Sequence, residues 1–95
     1  MAEATNVNTG VLTFEFDGGE YELSRAAIQS MKVQRAMAYD GDPEHMREVW
    51  DAIDLIFLGK TSEYMDRLAG GDPLGCPQGR WGEFFQAAME AAAKN

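Results

Sequence analysis

Cysteine and histidine are almost missing from this 95-residue chain, where Cys76 and His45 are the only examples. A single cysteine excludes an intrachain disulfide and the multi-cysteine zinc sites, and it fits a reducing compartment. A single histidine in the first turn of an expected helix has no second histidine or cysteine near it in sequence. Metal ligation and general-base catalysis therefore lack partners, and His45 reads as a solvated side chain. Basic residues are scarce as well. Eight Lys and Arg stand against sixteen Asp and Glu, for a formal net charge of −8, about −3 of it before Asp42 and about −5 from Asp42 onward. Binding phosphates requires clustered cations that release counterions, so nucleic acid is excluded as a partner. The acidic shell serves solubility. No apolar run approaches the roughly 20 residues needed to cross a bilayer. Met1-Ala2-Glu3-Ala4-Thr5-Asn6 also lacks the basic and apolar regions of a signal peptide, so the chain is expected to be neither exported nor membrane-anchored.

Two fragments of chemical motifs fail on their spacing. Gly59-Lys60-Thr61 resembles the end of a phosphate-binding loop, but that loop needs glycine where Asp54 stands and a strand where a helix is expected. A helix stop followed by a capping threonine accounts for the triplet. Asp40, Asp42 and Glu44 alternate like the first ligands of an EF-hand, yet the sharp-turn glycine is replaced by His45 and the bidentate Glu by Asp51. Asp42 as a helix cap, with Glu44 near the positive end of the helix dipole, explains these residues without a metal. Cys76 has only Arg80 nearby to lower its pKa and reads as a partly exposed, inert thiol. No carboxylate pair is marked for acid–base work. The chain is read as a non-enzyme without catalytic residues, cofactor or metal site.

What is present is a packing pattern. Leu12, Phe14 and Phe16 alternate with Thr13 and Glu15, and Tyr21 and Leu23 alternate with Glu20 and Glu22, the period of two half-buried strands. Asp17-Gly18-Gly19 supplies the turn. Ser24 caps a helix from about Arg25 to Tyr39, with Ala26, Val33 and Met37 on one side and Ala27, Met31 and Ala38 on another. Asp40-Gly41-Asp42-Pro43 breaks that helix and starts a second, which runs to about Leu58. Met46, Val49, Trp50, Ile53, Ile56 and Phe57 form its core stripe, and Leu55 and Leu58 point away from it. Gly59 ends this helix.

Thr61 caps a third helix from Ser62 to about Ala69 that buries Tyr64, Met65 and Leu68. A fourth, about Trp81 to Lys94, presents Trp81, Phe84, Phe85, Ala88 and Ala92 on one face. The expected architecture is α+β: a flexible N-terminus over residues 1–10, then one domain over 11–95 with an N-terminal β-hairpin, about four helices and a Gly/Pro-rich loop at about 70–80. Five internal methionines fill core by default, but methionine also suits surfaces that adapt to partners, and Met31 and Met37 on opposed sides divide the two uses.

Taken together, four segments resemble the small tail assembly chaperones of long-tailed bacteriophages and prophages. They are the hairpin Phe14-Glu15-Phe16-Asp17-Gly18-Gly19-Glu20-Tyr21-Glu22-Leu23, Met31-Lys32-Val33-Gln34, Ile56-Phe57-Leu58-Gly59-Lys60-Thr61-Ser62-Glu63-Tyr64, and the terminal Ala93-Lys94-Asn95. The resemblance spans about Val11 to Asn95 and lies in order and spacing, because none of the segments is a catalytic signature. It implies a non-enzymatic role: binding the aggregation-prone tape-measure protein and helping to recruit tail-tube subunits, in the cytoplasm of the bacterial host and outside the mature virion. It also implies a longer product made by programmed frameshifting, since Lys94-Asn95 can be encoded by the slippery heptamer A-AAA-AAC.

Apolar grooves hold amphipathic client helices, and the residues expected to bind the partner are Val33, Met37, Leu55 and Leu58. Self-association into a homo-oligomer is the other way to cover them. The alternative reading is an acidic inhibitor that mimics nucleic acid in the basic cleft of a host enzyme. It rests on the net charge and predicts binding that collapses with salt.

Overall fold

The computed structural model describes residues 10–94; of the flexible segment expected over residues 1–10, residues 1–9 lie outside them, as does Asn95, while the Gly10 carbonyl accepts the Arg25 N–H at 2.6 Å. Strands β1 (Val11–Phe16) and β2 (Gly19–Ser24) form an antiparallel hairpin in which Leu12 opposes Leu23 and Phe14 opposes Tyr21. Asp17 and Gly18 both have positive φ, at 52° and 83°, the backbone of a two-residue turn that matches the twist of the strands. Five α-helices follow: α1 (Arg25–Ile28), α2 (Met31–Met37), α3 (Met46–Ile56), α4 (Thr61–Ala69) and α5 (Gln78–Lys94). A 3-10 turn, Pro43–His45, leads into α3. The architecture is α+β, with the hairpin at the N-terminal end of the described chain.

One side of the hairpin closes the core. Phe14, Tyr21 and Leu23 are buried and meet Val49, Ile53, Ile56, Phe57, Tyr64, Leu68, Phe84 and Ala88 from the helices. Phe84 is fully buried and is the hub, with ring centroids of Tyr21, Trp81, Phe57, Phe14, Phe16 and Tyr64 between 4.8 and 5.9 Å away. A polar seam ties α4 to β2. The Glu22 N–H donates to the Tyr64 hydroxyl at 2.9 Å, Lys60 pairs with Glu22 at 3.0 Å, and the Arg67 guanidinium donates to the Glu20 carbonyl at 2.8 Å.

Several helix boundaries differ from the sequence reading. The expected helix from Arg25 to Tyr39 is two helices, because Gln29 and Ser30 break it and Ser30 is extended with ψ at 131°. A single rod carrying apolar residues on two sides cannot bury both. Bending at Ser30 lets Ala27 and Ile28 pack on the core from α1, and Val33, Ala36 and Met37 from α2. Gln34 Nε2 donates to the Ile28 carbonyl that the break exposes. Ser24 is the cap expected, its hydroxyl accepting the Ala27 N–H.

In α3 the buried stripe is Val49, Ala52, Ile53 and Ile56, so Ala52 replaces Trp50, which is 37% exposed and leans on Trp81 at 6.2 Å. Helix α5 begins at Gln78, before the expected Trp81. Pro77 sets its entry, and the Trp81 N–H donates back to the Pro77 carbonyl.

Helix α3 ends at Ile56, and Leu58, not Gly59, is its first left-handed residue, with φ at 60°. The Gly59 N–H reaches the Asp54 carbonyl at 2.7 Å, closing a Schellman-type cap around Leu58. A leucine there bears the steric cost that glycine avoids, about 1 kcal/mol. Leu58→Gly is therefore expected to raise the folding stability by no more than about 0.5 kcal/mol after the entropy of the unfolded glycine is counted. Urea denaturation reads it, and a loss of stability would mean that Leu58 contributes more by packing than it costs in strain.

Candidate functional site: a groove between two helices

Helices α2 and α3 are connected by the Ala38–Asp42 turn and the 3-10 turn and pack side by side in opposite directions. Their outer surfaces leave an open groove of about 630 Å³. Its floor is Val33, Ala36 and Ala52. Lys32 and Arg35 rise from the α2 side, and Glu48 and Asp51 from the α3 side.

At the connecting end, the Tyr39 and His45 rings stack at 3.8 Å and 7°, and His45 Nδ1 lies 3.0 Å from Asp42 Oδ2. Asp42 Oδ1 accepts the Glu44 N–H at 3.0 Å. That bond and then the His45 contact hold the Asp42 carboxyl below the usual carboxylate range. His45 is thus a half-buried bracket for the α2–α3 connection, not the freely solvated side chain expected. At the far end Met31 is 73% exposed and Leu55 is 48% exposed.

Among the described residues no ion pair links Lys32 or Arg35 to Glu48 or Asp51. The basic wall and the acidic wall face each other across an apolar floor without neutralising one another. Elsewhere opposite charges do pair: Lys60 with Glu22, Arg67 with Glu63, and Arg80 with Asp17. The Glu22 carboxylate raises the Lys60 pKa, chiefly through their hydrogen bond, and Asp17 does the same for Arg80. Lys60 is accordingly a structural tie between α4 and β2.

Of the four residues expected to bind a partner, the structure brings two to this groove. Val33 lies at its base, only 3% exposed and part of the core, so it supplies floor and not a protruding contact. Leu55 stands on the rim. Met37 is half-buried against the core and outside the groove, and Leu58 is 39% exposed on the left-handed turn after α3. The sequence reading missed Met31, Lys32, Arg35, Glu48 and Asp51 as one surface. The helical spacing of 31 with 35, and of 48 with 51 and 55, was the available signal, but only the bend at Ser30 reveals which neighbour each helix meets.

Among the described residues no group of three or more His, Cys, Asp or Glu is arranged to hold a metal ion. Cys76 is half-buried and its thiol lies 3.4 Å from the Pro77 carbonyl. No helix among the described residues is long and apolar enough to cross a membrane. Comparison with protein-family models, with curated proteins and with solved structures found no match to this chain.

Proposed function

We propose that this protein is a non-enzymatic tail assembly chaperone of a long-tailed phage or prophage, binding the tape-measure protein and helping to recruit tail-tube subunits. The observation that carries the reading is the groove between α2 and α3, with an apolar floor, a flexible methionine at its mouth and charge on both walls. Such a surface suits an amphipathic helix, whose apolar stripe fills the floor while its polar flanks stay hydrated. Met31 adds adaptability, because an unbranched thioether repacks against varied side chains. The role is exercised in the cytoplasm of the bacterial host, and the protein leaves before the particle is complete.

The nucleic-acid-mimic reading requires an uninterrupted acidic face, and the basic pair Lys32 and Arg35 sits across from Glu48 and Asp51. Three further carboxylates, Glu22, Glu63 and Asp17, are engaged by Lys60, Arg67 and Arg80.

Co-expression with the tape-measure protein tests the proposal. Met31→Asp and Leu55→Asp place a charge at the apolar mouth and are each expected to lower co-purification at least tenfold while the far-UV circular dichroism stays unchanged. Binding of both variants at the wild-type level overturns the reading. So does wild-type binding that collapses between about 50 and 200 mM salt, the behaviour of a phosphate-like ligand.

A further inference from the structure

We propose that, when no client is bound, the α2–α3 groove is covered by the same groove of a second copy of this chain, in a two-fold dimer. The argument is the order of charges across the groove. Moving from α2 to α3, the surface is basic at Lys32 and Arg35, apolar at Val33, Ala36 and Ala52, and acidic at Glu48 and Asp51. A partner of one sign is attracted by one wall and repelled by the other. A partner with both signs satisfies both, and the chain itself carries both signs at the matching separation.

The symmetry follows from elementary geometry. A two-fold axis running along the groove reverses left and right while turning the second copy face to face with the first. The α2 cations of each copy then meet the α3 carboxylates of the other, and this happens twice. The same operation preserves height along the groove, so Met31, at the open end, falls opposite Leu55 of the second copy. The two most exposed apolar side chains of this face, at 73% and 48%, cover one another. Like charges would meet only if the axis ran across the groove, which makes the pairing selective for one arrangement.

Each chain carries a net charge of −8, which opposes association at long range. At physiological ionic strength the screening length is about 8 Å, so distant carboxylates are damped while groups in contact across the interface are not. Two helices of seven and eleven residues make a small interface. A contact of that size belongs to the weak class burying less than about 1,200 Å² in total. Such a dimer is labile, as a cover that a client helix must displace has to be.

Sedimentation equilibrium of the purified protein without client tests the inference. For the wild type the weight-average mass is expected to rise from 10.5 kDa toward twice that value as concentration reaches about 1 mM, the range of a weak interface. K32E/R35E makes both walls acidic and E48K/D51K makes both basic. Each double variant is expected to remain monomeric, although the second reduces the overall repulsion between chains. The fourfold variant K32E/R35E/E48K/D51K reverses the order of signs and is expected to dimerise again, at about the wild-type concentration.

Far-UV circular dichroism and the urea midpoint establish that each variant is folded. A wild type that stays at 10.5 kDa throughout overturns the proposal. So does a dimer that both double variants retain, or a folded fourfold variant that stays monomeric. A monomer that still captures the tape-measure protein overturns the dimer alone, and a dimer that fails to capture it overturns the chaperone reading alone.

Discussion

Phe84→Ala is expected to remove a large share of the folding stability of this chain. The ring is fully buried and touches aromatic side chains from β1, β2, α4 and α5, together with Phe57 just beyond α3. Truncating a buried phenylalanine costs about 3 to 5 kcal/mol, the transfer of the lost ring plus the cavity left behind. A domain of this size has only about 5 to 14 kcal/mol in total.

The surroundings cannot easily collapse into the gap, because the neighbours are rigid rings held by separate elements. With a urea dependence of about 1 kcal/mol per molar, the unfolding midpoint is expected to fall by about 3 to 5 M. A loss below about 1 kcal/mol would mean that another residue, with Phe57 the first to examine, organises the core. Because the hairpin and the helices share this hub, the probes of strand and helix are expected to lose signal together, as in a single cooperative transition.

Tyr64 carries the second large effect and separates packing from hydrogen bonding. Its ring is 2% exposed and stands edge-on to Tyr21 at 4.9 Å, while its hydroxyl accepts the Glu22 N–H at 2.9 Å and lies 3.3 Å from the Glu22 carbonyl. Tyr64→Ala is expected to cost about 4 kcal/mol, by the same cavity argument. Tyr64→Phe keeps the ring and removes only the hydroxyl.

The Glu22 N–H is then left without its partner at a partly buried edge, at a cost of about 1 to 3 kcal/mol. Urea midpoints of the two variants check the division. A Tyr64→Phe protein as stable as the wild type would show that water replaces the hydroxyl and that the β2–α4 seam is held by Lys60–Glu22 and the Arg67 contact instead. Any client or dimer contact at the α2–α3 groove is expected to survive Tyr64→Phe, since Tyr64 does not line that groove.

Much of the fold is legible in the linear chain because it depends on short-range chemistry. The alternation of Leu12, Phe14 and Phe16 and of Tyr21 and Leu23 marks two strands, and Asp17-Gly18 can adopt the positive φ angles that join them. Ser24 and Asp42 offer side-chain oxygens to nearby backbone N–H groups; Ser24 caps α1 as read from sequence, whereas Asp42 caps the 3-10 turn that precedes α3 and not α3 itself. Phe84 and Ala88 lie on the apolar face expected of the last helix and are completely buried.

The misreadings have a common cause. A helical projection shows two apolar sides on the segment from Arg25 to Tyr39 but not that the chain breaks at Gln29 and Ser30 into α1 and α2. It places Trp50 in the α3 stripe without the shape of the neighbours that favour Ala52. It ends α3 at Gly59, which does have positive φ, without showing that Leu58 before it is already left-handed.

From residue order alone came the class of the fold, the identity of most core positions, the acidic character of the surface and the choice of α2 and α3 as the elements with apolar surface to spare. Those properties depend on periodicity, capping and charge, which act within a few residues. The tertiary structure alone decided that Val33 is core, that Met31 and Leu55 share one mouth, and that Lys32 and Arg35 face Glu48 and Asp51 across it. Facing is set by how two helices pack, and packing is settled by the volumes of side chains remote in sequence, with the rings around Phe84 foremost among them.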